Sequence, residues 1–142
     1  MSIGTFSYPM PVNEPVLSYA PGSSERKKLK EVLAELKNQQ IDVPMYIGSK
    51  EVRTNKKVAL HTPHEINHTL GYFNAGEEKH VQQAIDAALT AKESWANTSW
   101  ETRANIFLKV ADLMATKYRP YMNAATMLGQ SKNVFQAEID SA

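Results

Sequence analysis

Glu77-Glu-Lys-His-Val-Gln-Gln-Ala-Ile-Asp-Ala-Ala-Leu-Thr-Ala-Lys-Glu-Ser-Trp95 is the stretch on which the reading of this chain turns. Val81, Ala84, Ile85, Ala88 and Leu89 recur at the spacing of one helical face. Glu77 and Glu78 stand where the positive end of a helix dipole favours anions. The alanines leave room for a neighbour to come close. The spacing predicts a helix over 77–95 with this stripe buried.

Toward the C-terminus the helical pattern continues. Ser99 is a natural N-cap for a second helix, 99–117, with Ile106, Phe107, Val110, Leu113 and Met114 facing inward. Arg103 falls in its first turns, where the dipole disfavours a cation, so a carboxylate partner is expected. Trp95 and Trp100 bracket the turn between the two helices and read as structural. Arg119-Pro120 interrupts the chain, and Pro120 opens a third helix over 120–129. Gly129 is suited to close it in a left-handed conformation, and Ser131 to cap a fourth helix over 131–142. Val134, Phe135 and Ile139 give that last helix an apolar edge, with Glu138 and Asp140 beside it. The two carboxylates are two residues apart and face different ways, so they are not an acid–base pair. Helical periodicity is still running at Ala142, so a truncated end is expected, with Phe135 and Ile139 packing on parts beyond it.

Toward the N-terminus the pattern changes. Residues 1–22 hold Pro9, Pro11, Pro15 and Pro21 together with Phe6, Tyr8, Val12, Val16, Leu17 and Tyr19. Proline disfavours regular elements, and the apolar content is too high for a free tail, so an extended arm lying on a surface is expected. A helix over 23–40 follows, capped by Ser23 or Ser24, with Leu29, Val32, Leu33 and Leu36 as its stripe. Strands are expected within 43–73: Val43–Ile47 and Glu51–Arg53 flanking a Gly48-Ser49-Lys50 turn, then Val58–His61 and Thr69–Phe73 around a polar loop. So few strands leave edges that need covering.

Composition narrows the function classes. Sixteen basic residues against fifteen acidic ones leave no net field for nucleic acid or anionic lipid. With no cysteine there is no disulfide, thiolate metal site or thiol nucleophile in these residues. His61, His64, His68 and His80 do not make a zinc site, since Pro63 opposes a helix carrying the first pair and no thiolate joins them. There is no secretory signal, no membrane-length apolar run and no arginine-rich leader in the first residues, so a cytoplasmic protein is expected. No Gly-rich phosphate loop, nucleophile elbow or His-Glu-x-x-His occurs. The residues alone support a mostly helical domain with a small β element and no catalytic or metal site.

The order of elements adds a resemblance. Val81-Gln-Gln-Ala-Ile-Asp-Ala-Ala-Leu89 followed by Trp95, then Glu101-Thr-Arg-Ala-Asn-Ile-Phe-Leu-Lys-Val-Ala-Asp-Leu113, resembles the N-terminal part of the aldehyde dehydrogenase superfamily. Gly129-Gln-Ser-Lys-Asn-Val-Phe-Gln-Ala-Glu-Ile-Asp140 and Pro15-Val-Leu-Ser-Tyr-Ala-Pro-Gly-Ser-Ser-Glu-Arg26 are similar to the Δ1-pyrroline-5-carboxylate dehydrogenase branch. The resemblance implies an α/β fold and an NAD-dependent oxidation of L-glutamate γ-semialdehyde to L-glutamate in proline catabolism, by an enzyme of homo-oligomeric habit. In the family a cysteine thiolate attacks the aldehyde and hydride passes to NAD. That cysteine and most of the dinucleotide-binding sheet lie beyond these residues, so this chain alone is expected to be inactive. The resemblance carries one site residue across, Glu138, as a contact for the substrate's amino group. It also marks Ser131, where the family commonly has glycine. The competing reading is a stand-alone helical interaction or oligomerisation module without catalysis.

Overall fold

The computed structural model describes residues 7–142; Phe6, read above as part of the arm, lies outside the described residues. The chain runs as an extended segment to residue 20 and then as helix α1 (Ser24–Lys37), strands β1 (Ile41–Val43), β2 (Met45–Ile47), β3 (Lys50–Val52), β4 (Lys57–Thr62) and β5 (Glu65–Asn74), and helices α2 (Glu78–Ala96), α3 (Trp100–Ala115), α4 (Arg119–Gln130) and α5 (Val134–Ser141). It is mostly helical with a smaller sheet component.

α1 forms as its stripe demands. Ser23 accepts the Arg26 N–H at 3.3 Å, Leu29 and Val32 are buried, and Asn38 caps the other end. The helix therefore stops at Lys37, short of residue 40. Leu29 and Val32 join Tyr19 and Ala124 in the core, with Leu17, Leu33, Leu36, Tyr121, Met127 and Val134 packed around them. This core sits between α1, α4 and the arm. Full burial of each large aliphatic side chain there is worth about 1.5–3 kcal/mol.

The strands depart from their sequence boundaries at two points. Pro44 has no N–H and splits the expected Val43–Ile47 strand, so β1 and β2 enter different sheets. β1 runs parallel to β5, and β2 pairs antiparallel with β3 across a Gly48-Ser49 turn. Gly48 has φ 61, and an added Cβ would stand 3.5 Å from the Ala87 Cβ of α2. Residues 65–68 are not loop but the start of the ten-residue β5, antiparallel to β4. Gly71 is where β1 meets β5: a Cβ there would come within 2.1 Å of the Ile41 carbonyl oxygen. Asn74 ties the sheet to the following loop, donating to Asp42 at 2.7 Å and Val43 O at 2.9 Å and accepting from Thr54 N–H at 2.7 Å.

α2 and α3 have the expected periodicity but not the expected burial. Leu89 is 62% exposed and Phe107 69%, and Val81, Ile85, Ile106, Val110 and Met114 are exposed with them. Among the described residues nothing covers these faces. The cap of α2 is a box in which Glu77 N–H donates to His80 Nδ1 at 2.9 Å. At the other end of the helical half, Ser131 rather than Gly129 is the left-handed residue that closes α4 (φ 56, ψ 26), and Asn133 rather than Ser131 caps α5. Asn133 and Gln136 exchange two side-chain-to-backbone bonds of 3.0 Å, which moves the cap two residues on.

Candidate functional site: a buried Glu138–Arg119 pair under the arm

α5 turns Ala137 and Glu138 inward and leaves Phe135 and Ile139 exposed. Glu138 is 0% exposed, the largest fully buried side chain among the described residues. A carboxylate in that position needs donors for both oxygens. Oε1 accepts from the Leu17 N–H at 2.6 Å and from Arg119 Nη2. Oε2 accepts from Tyr19 Oη at 2.8 Å, Asn123 Nδ2 at 2.8 Å and Arg119 Nε at 3.3 Å.

Each partner is held in its turn. Arg119 is the first residue of α4 and 6% exposed; its Nη2 also donates to Pro15 O, and Glu14 lies 3.7 Å from Nη1. A cation at the start of a helix is unfavourable, and Glu138 offsets that. Tyr19 is 5% exposed and takes a φ of 50, an uncommon conformation for a bulky residue. Its carbonyl accepts from Arg26 Nη1 at 3.2 Å, and its hydroxyl also accepts from Asn123 Nδ2 at 2.8 Å. Ser141 donates to Asn123 Oδ1. Burial raises the Tyr19 phenol to about 12, with the hydrogen bond to Glu138 adding to it. For Glu138 burial pushes upward, but Arg119, Leu17, Asn123 and Tyr19 together outweigh it and hold the carboxyl below its ordinary value. The hydrogen bond to Glu138 raises Arg119. The arrangement is an ionised pair that anchors the arm across α4 and α5.

Glu138 was the one site residue read from the sequence, as a contact for a substrate amino group. Here its two oxygens accept five hydrogen bonds from the protein, so an ammonium reaching it has to displace one of those donors. Tyr19, Arg119 and Asn123 had not been singled out. The one legible signal was a cation at a helix start, and that argument had been applied to Arg103. Among the described residues Arg103 has no carboxylate partner, and its Nε is buried with no hydrogen bond. Asp140 stays at the surface paired with Lys132. Trp100 and Tyr8 form a T-shaped pair, ring centroids 5.4 Å apart. The four histidines are dispersed over β4, the β4–β5 turn, β5 and α2, and no group of three potential ligands forms among the described residues.

The profile of the aldehyde dehydrogenase family matches residues 50–142. The chain belongs to that family. It is 48% identical over 141 residues to Delta-1-pyrroline-5-carboxylate dehydrogenase of Agaricus bisporus, covering 99% of this chain and 26% of that protein. It is 46% identical to the mitochondrial enzyme of that name from Emericella nidulans, over 97% of this chain and 24% of that one. The crystal structure of the Mycobacterium tuberculosis Delta-pyrroline-5-carboxylate dehydrogenase bound with NAD and cobalamin matches with a TM-score of 0.95 and 39% identity, over 99% of this chain and 26% of that one. The chain is thus closely related to the Δ1-pyrroline-5-carboxylate dehydrogenases and spans about a quarter of their length.

Two consequences follow for the expectations above. The cytoplasmic assignment is overturned, because several of these relatives, from Emericella nidulans to Mus musculus, are named mitochondrial. A shortage of arginine near residue 1 carries no information on compartment for a chain that spans a quarter of its relatives. Two helix starts are also taken up by the chain's own side chains. The start of α2 is closed by the Glu77 carboxylate, which excludes a pyrophosphate there. Arg119, at the start of α4, is committed to Glu138.

Proposed function

We propose that this chain is the N-terminal portion of an NAD-dependent dehydrogenase that oxidises L-glutamate γ-semialdehyde, derived from 1-pyrroline-5-carboxylate, to L-glutamate. The observation that carries the reading is the joint likeness in sequence and fold to proteins of that name, 48% identity in one and a TM-score of 0.95 in another. A mitochondrial setting accords with the relatives so named. NAD is the hydride acceptor, supported by its presence in the Mycobacterium tuberculosis enzyme. The thiolate the chemistry requires belongs to the remainder of the protein, since this chain has no cysteine, and we assign most of the NAD site to that remainder as well.

The chain's own contribution is structural and substrate-side. The Glu138–Arg119 pair holds Leu17 and Tyr19 of the arm on α4 and α5. We infer that Glu138 acts on the substrate through this scaffold, with direct contact to the substrate's ammonium as the competing role. The exposed stripes of α2 and α3 supply the surface on which the remainder of the enzyme packs. The test is the full-length protein incubated with 1-pyrroline-5-carboxylate and NAD, with glutamate measured as product by mass spectrometry. Stoichiometric glutamate and NADH are expected; reduction of NAD without glutamate refutes the substrate assignment. Glu138→Gln in that enzyme separates the two roles. A KM increase for this substrate alone, with the arm still protected from proteolysis, shows direct contact. Loss of arm protection shows the scaffold.

A further inference from the structure

The turn joining α4 to α5 places Glu138, yet little packs against it. Ser131 is left-handed, a conformation glycine adopts without strain and serine does not. A cavity of about 390 Å³ lies beside the turn, bounded by Leu33, Lys37, Met127 and Lys132. The polar contacts of Lys132 and Asn133 return to α5 itself, to Asp140 and Gln136. Among the described residues, Ser131 alone in this turn makes a polar contact with another element: its hydroxyl lies 2.7 Å from His64 Nδ1.

His64 is well placed to act as a fixed point. It follows Pro63 in the two-residue turn between β4 and β5, where Thr62 pairs with Glu65, and the proline ring restricts the backbone before it. Glu65, next in sequence, binds Lys37 at the end of α1 at 2.5 Å. The hairpin tip therefore grips α1 with one residue and the α4–α5 turn with the other.

We propose that His64 and Ser131 are positioning residues: their contact sets the α4–α5 turn, and through it Glu138 and the arm, for binding of the amino-acid aldehyde. This rests on the dehydrogenase reading above. It accounts for a serine at a left-handed position, since the side chain whose Cβ strains the turn also carries the hydroxyl that ties it to the sheet. Neither residue touches the reacting atoms.

The test uses the full-length enzyme with His64→Ala, Ser131→Ala and Ser131→Gly singly, and His64→Ala/Ser131→Ala together. Each single variant is expected to raise KM for glutamate semialdehyde about three- to tenfold, the range one hydrogen bond commands. The double variant should be no worse than the worse single one. kcat and KM for NAD should stay within about twofold, and His64→Asn should recover part of the loss. Ser131→Gly suits the left-handed turn, so its loss of affinity cannot be laid to misfolding. Additive effects in the double variant, an unchanged KM, or an equal rise for an aldehyde without an amino group overturns the proposal. If the unaltered enzyme does not oxidise glutamate semialdehyde, the dehydrogenase reading fails first. Amide hydrogen exchange across residues 133–138 then decides the latch by itself: faster exchange in His64→Ala supports it, and identical exchange overturns it.

Discussion

Removing the Glu138 carboxylate is the sharpest perturbation this structure offers. Glu138→Ala leaves Arg119, whose side chain is 8% exposed, as a buried cation without its counter-ion, and strips acceptors from the Leu17 N–H, Tyr19 Oη and Asn123 Nδ2. Breaking a buried pair in this way costs about 3–5 kcal/mol. Because Leu17 N–H donates directly to the lost carboxylate, its amide reports the damage locally. At roughly 1.4 kcal/mol per tenfold, its hydrogen exchange should accelerate at least about a hundredfold, until it reaches the rate of an unprotected amide. Mass spectrometry of peptides spanning residues 14–20 reads this without requiring global unfolding. Glu138→Ala/Arg119→Met, which removes both charges, should restore protection at the other arm amides, because no lone buried charge remains, while the Leu17 amide itself stays without its acceptor. Acceleration below about threefold in Glu138→Ala, or a double variant as damaged as the sum of both singles, refutes the picture of a charge pair anchoring the arm.

Three further outcomes are expected. The Tyr19 phenol is raised to about 12, so its contribution is complete below pH 10 and is lost as pH climbs from 10 to 12; Glu138 is depressed, so its contribution holds above the ordinary carboxylate range and fades as pH falls below it. Arm protection should therefore form a plateau between these limits, and Tyr19→Phe should remove the component near pH 12 from the tyrosinate absorbance titration while the other tyrosines still titrate. Gly71→Ala drives a Cβ toward the Ile41 carbonyl oxygen and should destabilise the protein by about 1–3 kcal/mol by displacing β1; an unchanged melting temperature argues against the parallel β1–β5 register. The 142-residue chain by itself, with Leu89 and Phe107 exposed, should self-associate and bind a hydrophobic dye, and Phe107→Glu should reduce both; a monomer that binds no dye contradicts an unpartnered surface.

What could be read from sequence follows the range of the interaction. Leu29, Val32, Leu33 and Leu36 announce α1, because helical periodicity is local and the core they enter lies within the chain. Val81, Ile85 and Leu89 announce a helix equally well, but not its burial, since no described residue covers that face. Pro44 had been included in one long strand, although its missing N–H was reason enough to divide it between two sheets. Gly129 seemed the natural left-handed residue; the Asn133–Gln136 box and the Ser131–His64 contact shift the stop to Ser131, and the second of these joins residues 67 apart. Glu138 is legible from the sequence resemblance, but as a contact for the substrate's amino group and not as a buried anchor. Its burial depends on Tyr19, 119 residues earlier, and on Arg119, 19 residues earlier, and no periodicity in the last helix reports either.

The central claim is that these residues belong to an enzyme for glutamate semialdehyde. Its most direct test is the initial rate of NADH formation by the full-length protein with that substrate, beside an aldehyde of equal chain length without the amino and carboxylate groups. The account predicts a kcat/KM for glutamate semialdehyde higher by about a hundredfold or more, as expected where charged substrate groups are met by built partners. Equal rates with both aldehydes, or NADH formation with the simple aldehyde alone, would contradict it.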